Sequence, residues 1–202
     1  MLLYYVHDPM CSWCWGFSPT WKKICSALAK DTEIKYLLGG LAPDSNEPMP
    51  EAMQQEIAGY WKKIQQHIPG TEFNFEFWSK CQARRSTYPA CRAVIAARKQ
   101  NPEIELKMIE AIQKAYYLNA QNPSDDATLI TLADSLELNA QQFSDDLNAI
   151  ETQQQLEKEI IFGRNIGAQG FPSLVLETGG QYQRLPVDYN DSSKTINYIK
   201  NL

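Results

Sequence analysis

Histidine and cysteine are scarce in this chain. Its 202 residues hold two histidines, His7 and His67, and five cysteines, at positions 11, 14, 25, 81 and 91. An odd, low cysteine count argues against a structural disulfide framework. Tetrahedral zinc needs two close cysteine pairs, or one pair with histidines nearby, and only Cys11 and Cys14 lie close together. No Lys/Arg run is longer than a pair, and the arginine pair Arg84-Arg85 reads as a solvated helix end. With 19 basic against 24 acidic residues the net charge is −5. A mild acidic excess gives no electrostatic pull toward nucleic acid or anionic membrane. The apolar run Leu2-Leu3-Tyr4-Tyr5-Val6 is far too short to span a bilayer, and no basic leader precedes it. With Met1 as the start, these absences predict a cytoplasmic protein. Neither an internal repeat nor a low-complexity segment is present.

What is present is ordinary globular composition, 44% hydrophobic and 21% charged. Residues 2–7 suit a short buried strand, and Asp8-Pro9 breaks it. From Trp13 to Lys30 apolar residues recur at helical spacing, with Pro19 predicted to kink the helix. Ile34 to Leu41 reads as a second strand, ended by Gly39-Gly40. Strand, helix and strand in that order favour a parallel βαβ unit. Residues 42–50 carry Pro43, Pro48 and Pro50 and read as a loop. Helical patterns then run to residue 166, apart from 71–78, where the alternation of Phe73, Phe75 and Phe77 suggests extended chain. Ser173 to Leu176 is a strand, Gly179-Gly180 a hairpin turn, and Tyr182 to Leu185 the returning strand. Asp191 or Ser192 caps a final helix. The expectation is an α/β domain from residues 1–42 and 152–202, interrupted by a helical subdomain over 43–151.

The motif that carries chemistry is Cys11-Ser12-Trp13-Cys14, between a strand and a helix. Free N–H groups and the positive end of the helix dipole converge on Cys11. A thiolate is stabilised there, so Cys11 is expected to have a lowered pKa and to be the exposed nucleophile. Cys14 lies about one helical turn on. It is expected to be partly buried, and to resolve a mixed disulfide by closing the 11–14 bond.

With its β-CxxC-α-β start, helical insert and late hairpin, the chain resembles the DsbA-like branch of the thioredoxin superfamily. Asp8-Pro-Met-Cys-Ser-Trp-Cys-Trp-Gly-Phe-Ser-Pro19, Arg85-Ser-Thr-Tyr-Pro-Ala-Cys-Arg92 and Gly167-Ala-Gln-Gly-Phe-Pro-Ser173 are similar to the FrnE-like, disulfide-isomerase group. The resemblance implies a thioredoxin-like fold and thiol–disulfide exchange, as reductase or isomerase. It also implies a cis-proline at Pro172, opposite the cysteine pair, with Phe171 offering its backbone to an extended substrate. Trp13 would belong to the apolar rim around the pair. Implied partners are a protein or peptide thiol or disulfide and a cellular thiol reductant. No cofactor or metal is called for beyond glutathione as reductant or co-substrate. The alternative is a glutathione-dependent isomerase or transferase on small molecules, as in the kappa-class and chromene-carboxylate-isomerase relatives. A binding module without turnover is a third reading.

The chain departs from the superfamily pattern at Tyr5, where many members keep a buried acid to take the second cysteine's proton. His7, Asp8 or water are the alternatives. Cys25 reads as core packing. Cys81 and Cys91 are a possible pair that a reducing compartment disfavours. Tyr88, Pro89 and Cys91 either line the cleft or begin a helix.

Overall fold

The computed structural model describes residues 1–30 and 32–202. Four strands form one sheet in the order β2-β1-β3-β4. β1 (Leu2–His7) is a central strand, and residues 3–7 are buried. It runs parallel to β2 (Glu33–Leu38), with Tyr5 opposite Tyr36, and antiparallel to β3 (Ser173–Thr178), with Tyr5 opposite Leu174. β4 (Gln181–Leu185) returns from β3 through Gly179 and Gly180. Both glycines have positive φ, the backbone a two-residue hairpin turn requires. β2 stops short of the predicted Leu41, because Gly40 turns the chain at φ +61°.

Side chains alternate across β1. Leu3 and Tyr5 face α1 (Ser12–Leu28) and α9 (Ser192–Lys200), packing with Phe17, Trp21, Ile24, Leu28 and Ile199. Tyr4 and Val6 face the other way, toward Phe162 and Ile166 at the end of α8 (Ile150–Asn165) and its exit. Pro19 leaves α1 one continuous helix. Its missing N–H would have met the Trp15 carbonyl, and the Ser18 hydroxyl donates to that oxygen instead, at 2.6 Å.

Between β2 and α8 lie α2 (Glu51–His67), the short α3 (Phe77–Lys80), α4 (Tyr88–Gln100), α5 (Glu105–Tyr117), α6 (Asp126–Ser135) and α7 (Ala140–Leu147). α4 is the buried spine, with Ala90, Ala93, Val94, Ala96 and Ala97 fully enclosed. The predicted extended segment at 71–78 is a loop leading into α3. Among the described residues its phenylalanines have no partner strand, and they collect on Trp61 instead. Phe73 stacks on it at 4.9 Å, and Phe75 and Phe77 stand at 5.6 and 6.1 Å.

α8 ties the two parts together. Its Leu156 and Ile160 enter the helical core, while Phe162 packs against the sheet. Buried Glu159 accepts the Leu38 N–H at 3.0 Å and pairs with Arg98 of α4. That anchors the end of β2, and with it the loop that reaches the cysteine pair.

Candidate active site

β1 ends at His7, and the loop Asp8-Pro9-Met10 delivers the chain to α1 with Cys11 at its N-cap. The Cys11 N–H donates to the Asp8 carbonyl at 3.0 Å, and the Trp15 N–H donates to the Cys11 carbonyl at 3.1 Å. The Asp8 carboxylate is wholly buried and holds this loop in place. It accepts from the Met10 N–H at 2.8 Å, the Leu41 N–H at 2.7 Å, the Thr87 hydroxyl at 2.7 Å and the Cys91 thiol at 3.5 Å. One carboxylate thus joins the cysteine loop, the loop after β2 and the start of α4. Burial pushes its pKa up, and these donors oppose the rise.

Cys11 is less open than expected, at 6% exposure. The reason is Phe171, whose carbonyl accepts from the Cys11 thiol at 3.5 Å. The Phe171–Pro172 peptide bond is cis. The Phe171 ring lies where a side chain on Gly39 would stand, so the β2 loop and the segment before β3 close together only because residue 39 is glycine. Cys14 is fully buried. Burial drives its thiol pKa well up, and the adjacent Cys11 sulfur adds to the rise.

Below the pair, Tyr5 occupies the place of the usual acid. It stacks on Trp21 at 4.4 Å and on His7 at 5.0 Å. His7 is fully buried, neither ring nitrogen has a partner among the described residues, and burial lowers its pKa to about 3. A ring so hard to protonate is a poor acceptor for a thiol proton.

Cys11 lines a cavity of about 420 Å³ with Met10, Trp13, Met49, Met53, Trp61 and Phe171. Trp13 is half-buried and also packs on Tyr189 at 5.1 Å. Arg84 and Arg85 line the same cavity and lie in the loop before α4, so they are not a helix end. Arg84 donates to Asp125 and to the Ser124 carbonyl, both at 2.6 Å. Arg85 is exposed and makes no ion pair among the described residues. Thr87 lines the cavity, whereas Tyr88, Pro89 and Cys91 do not, and Pro89 sits in the first turn of α4. All five cysteines are free thiols. Cys81 and Cys91 are not a pair: Cys81 donates to the Ala120 carbonyl at 3.1 Å and Cys91 to Asp8. Cys25 is only partly buried, with its sulfur 3.8 Å from the Tyr36 hydroxyl.

Sequence reasoning missed the reach of Asp8 and the need for Gly39. The signal for the first was an acid placed between a strand and a cysteine pair. The signal for the second was a glycine doublet at the end of β2.

A family model described as Thioredoxin matches residues 4–184. A candidate protein disulfide isomerase from Nitrosomonas europaea aligns with a TM-score of 0.87 at 28% identity, covering 99% of this chain and 96% of that one. The cytosolic disulfide reductase DsbM from Pseudomonas aeruginosa aligns with a TM-score of 0.80 at 21% identity, covering 100% and 98%. At that identity the likeness to DsbM is one of fold. The ClpXP adapter protein SpxH of Halalkalibacterium halodurans is 24% identical over 151 residues, 73% of this chain and 49% of that protein. The chain spans about half the length of the curated relatives it matches. Among the described residues no helix is long and apolar enough to cross a membrane. The span of the family match and the agreement in fold lead to one conclusion: the chain belongs to the thioredoxin family, as a DsbA-like protein with a helical insertion.

Proposed function

We propose that this protein is a cytoplasmic thiol–disulfide oxidoreductase, reductase or isomerase, working through Cys11 and Cys14. One observation carries the reading: the Cys11 thiol sits on the wall of a cavity of mixed apolar and charged lining, 3.5 Å from the Phe171 carbonyl, with Cys14 buried one turn along the same helix. The Cys11 thiolate attacks one sulfur of a substrate disulfide. The Cys11–substrate bond forms, the substrate S–S bond breaks, and the departing thiolate takes a proton. Cys14, once deprotonated, attacks Cys11 and expels the second substrate thiol. Two electrons have then passed to the substrate, and the protein holds the 11–14 disulfide.

Phe171 frames the substrate chain with Pro172 buried beside it, and Trp13 with Met10, Met49 and Met53 forms an adaptable apolar rim. Two thiols of glutathione return the pair to the dithiol. Arg85 supports that role: it is an unpaired guanidinium on the Cys11 cavity, suited to a carboxylate of a small peptide thiol. DsbM, similar in fold, has been solved with GSH.

The test is insulin reduction with glutathione as reductant. Cys11→Ser is expected to abolish it, and full activity in that variant refutes the assignment. A glutathione-dependent isomerase or transferase would instead bind glutathione non-covalently. Trapping of a Cys11–glutathione mixed disulfide, seen by intact mass, separates the two.

A further inference from the structure

A second and larger hollow, of about 720 Å³, shares no lining residue with the cavity at Cys11. Small-molecule sites commonly fall between roughly 300 and 1,000 Å³. One wall comes from β1, β2 and α1, and the other from α5 and the loop at 70–72. The fully buried Cys14 stands behind the wall of this hollow and Cys11 lines the other, so the two cysteines border different spaces.

The first wall is aromatic. Tyr5 stacks on Trp21 at 4.4 Å, and Tyr36 stands edge-on to Tyr5 at 5.6 Å. The Tyr36 hydroxyl is occupied by the Trp21 N–H at 3.0 Å. From α5 comes a different group, the carboxamide of Gln113. Gln113 is only 6% exposed, lines the hollow, and has no hydrogen-bond partner among the described residues. Its amide atoms are not among the sealed, unpartnered ones, so they face open space. Water reaches those atoms, and a ligand that displaces it can pair with the carboxamide as both donor and acceptor. The charges at the rim are Lys22, Glu72 and Glu110, and Lys22 pairs with Glu110 at 3.5 Å. The remaining acid disfavours an anion.

We propose that this hollow is a second ligand site, for an uncharged planar aromatic small molecule whose hydroxyl or carbonyl pairs with Gln113. The ligand's ring lies against the half-buried Tyr36 and Trp15, with Tyr5 and Trp21 packed behind them, in the offset or edge-on arrangements aromatic rings prefer. Cys14 stands behind one wall of this hollow, and the test reads binding rather than dithiol exchange.

The experiment titrates the reduced full chain with 2-naphthol by isothermal titration calorimetry. In parallel, iodoacetamide labelling is followed by mass mapping. Cys25 lines the hollow and Cys11 does not. The expected result is saturable one-to-one binding, with labelling of Cys25 slowed several-fold and labelling of Cys11 unchanged. Gln113→Leu is expected to bind about tenfold more weakly, the loss of one hydrogen bond. Leu106 lines the hollow and is 51% exposed, so Leu106→Trp narrows the hollow without touching the core and should also weaken binding severalfold. Absence of saturable heat, equal protection of Cys11, or wild-type affinity in both variants overturns the proposal. Should Gln113→Leu fail to fold, the Leu106→Trp titration decides.

Discussion

Lowering the pH from 7 to 4.5 should remove about 2.7 kcal/mol of stability through His7 alone. In the unfolded chain His7 titrates near 6.5, and in the folded protein burial holds it to about 3. Between those values the unfolded state binds a proton that the folded state refuses. Stability therefore falls as the pH falls, by about 1.36 kcal/mol per unit within the window. Two units of that window separate pH 6.5 from pH 4.5, which gives the figure quoted. The structural cause is plain: the ring is sealed between Tyr5 and Tyr36, and among the described residues neither nitrogen meets an acceptor that would welcome a proton. His7→Phe keeps a ring stacked on Tyr5 and removes the titration. Urea unfolding followed by circular dichroism at pH 7 and pH 4.5, on both proteins, isolates the term as a difference of differences. Every other acid-sensitive group cancels. A His7→Phe protein that loses as much stability across this range as the wild type, within about 0.5 kcal/mol, refutes the reasoning.

The remaining expectations can be checked in the same laboratory. Gly39→Ala places a methyl group in the ring of Phe171, so insulin reduction should drop at least tenfold while the circular dichroism spectrum stays native. Asp8→Asn turns an acceptor of four donors into a half-mismatched amide, and urea unfolding should show a loss of about 2–4 kcal/mol. Arg92 is buried, donates to the Leu147 carbonyl and holds Asp44 by two bonds of 2.7 and 2.8 Å. Arg92→Met should cost about 2–3 kcal/mol by the same measurement. Cys14→Ser should leave substrate bound to Cys11, so a mixed disulfide accumulates and is visible by non-reducing electrophoresis.

Much of the sheet was legible because its signals are local. The run at 2–7, the glycine doublet at 179–180 and the cap at Asp191, whose carboxylate accepts the Ser193 N–H at 2.9 Å, are each written in neighbouring residues. The cysteine pair was legible for the same reason. The burial of Cys11 was not. It depends on Phe171, whose carbonyl lies 160 positions away in sequence, and no periodicity reports a contact at that range. The phenylalanine triplet misled because period-two alternation marks a strand only where a partner edge exists. Arg84-Arg85 misled because charge alone does not reveal that Arg84 bridges to Asp125 and the Ser124 carbonyl.

The sheet also sets a timetable for synthesis. β1 is bordered on one side by β2, which leaves the ribosome soon after it, and on the other by β3, which comes almost last. Tyr4 and Glu177, bonded across that seam, are 173 positions apart. At roughly 5–20 residues per second, β1 waits on the order of ten to thirty seconds with one edge bare. Throughout that interval Phe171 does not yet exist to cover Cys11. A nascent chain stalled before residue 171 should therefore display Cys11 to any oxidant or alkylating agent, and the finished chain should close that exposure.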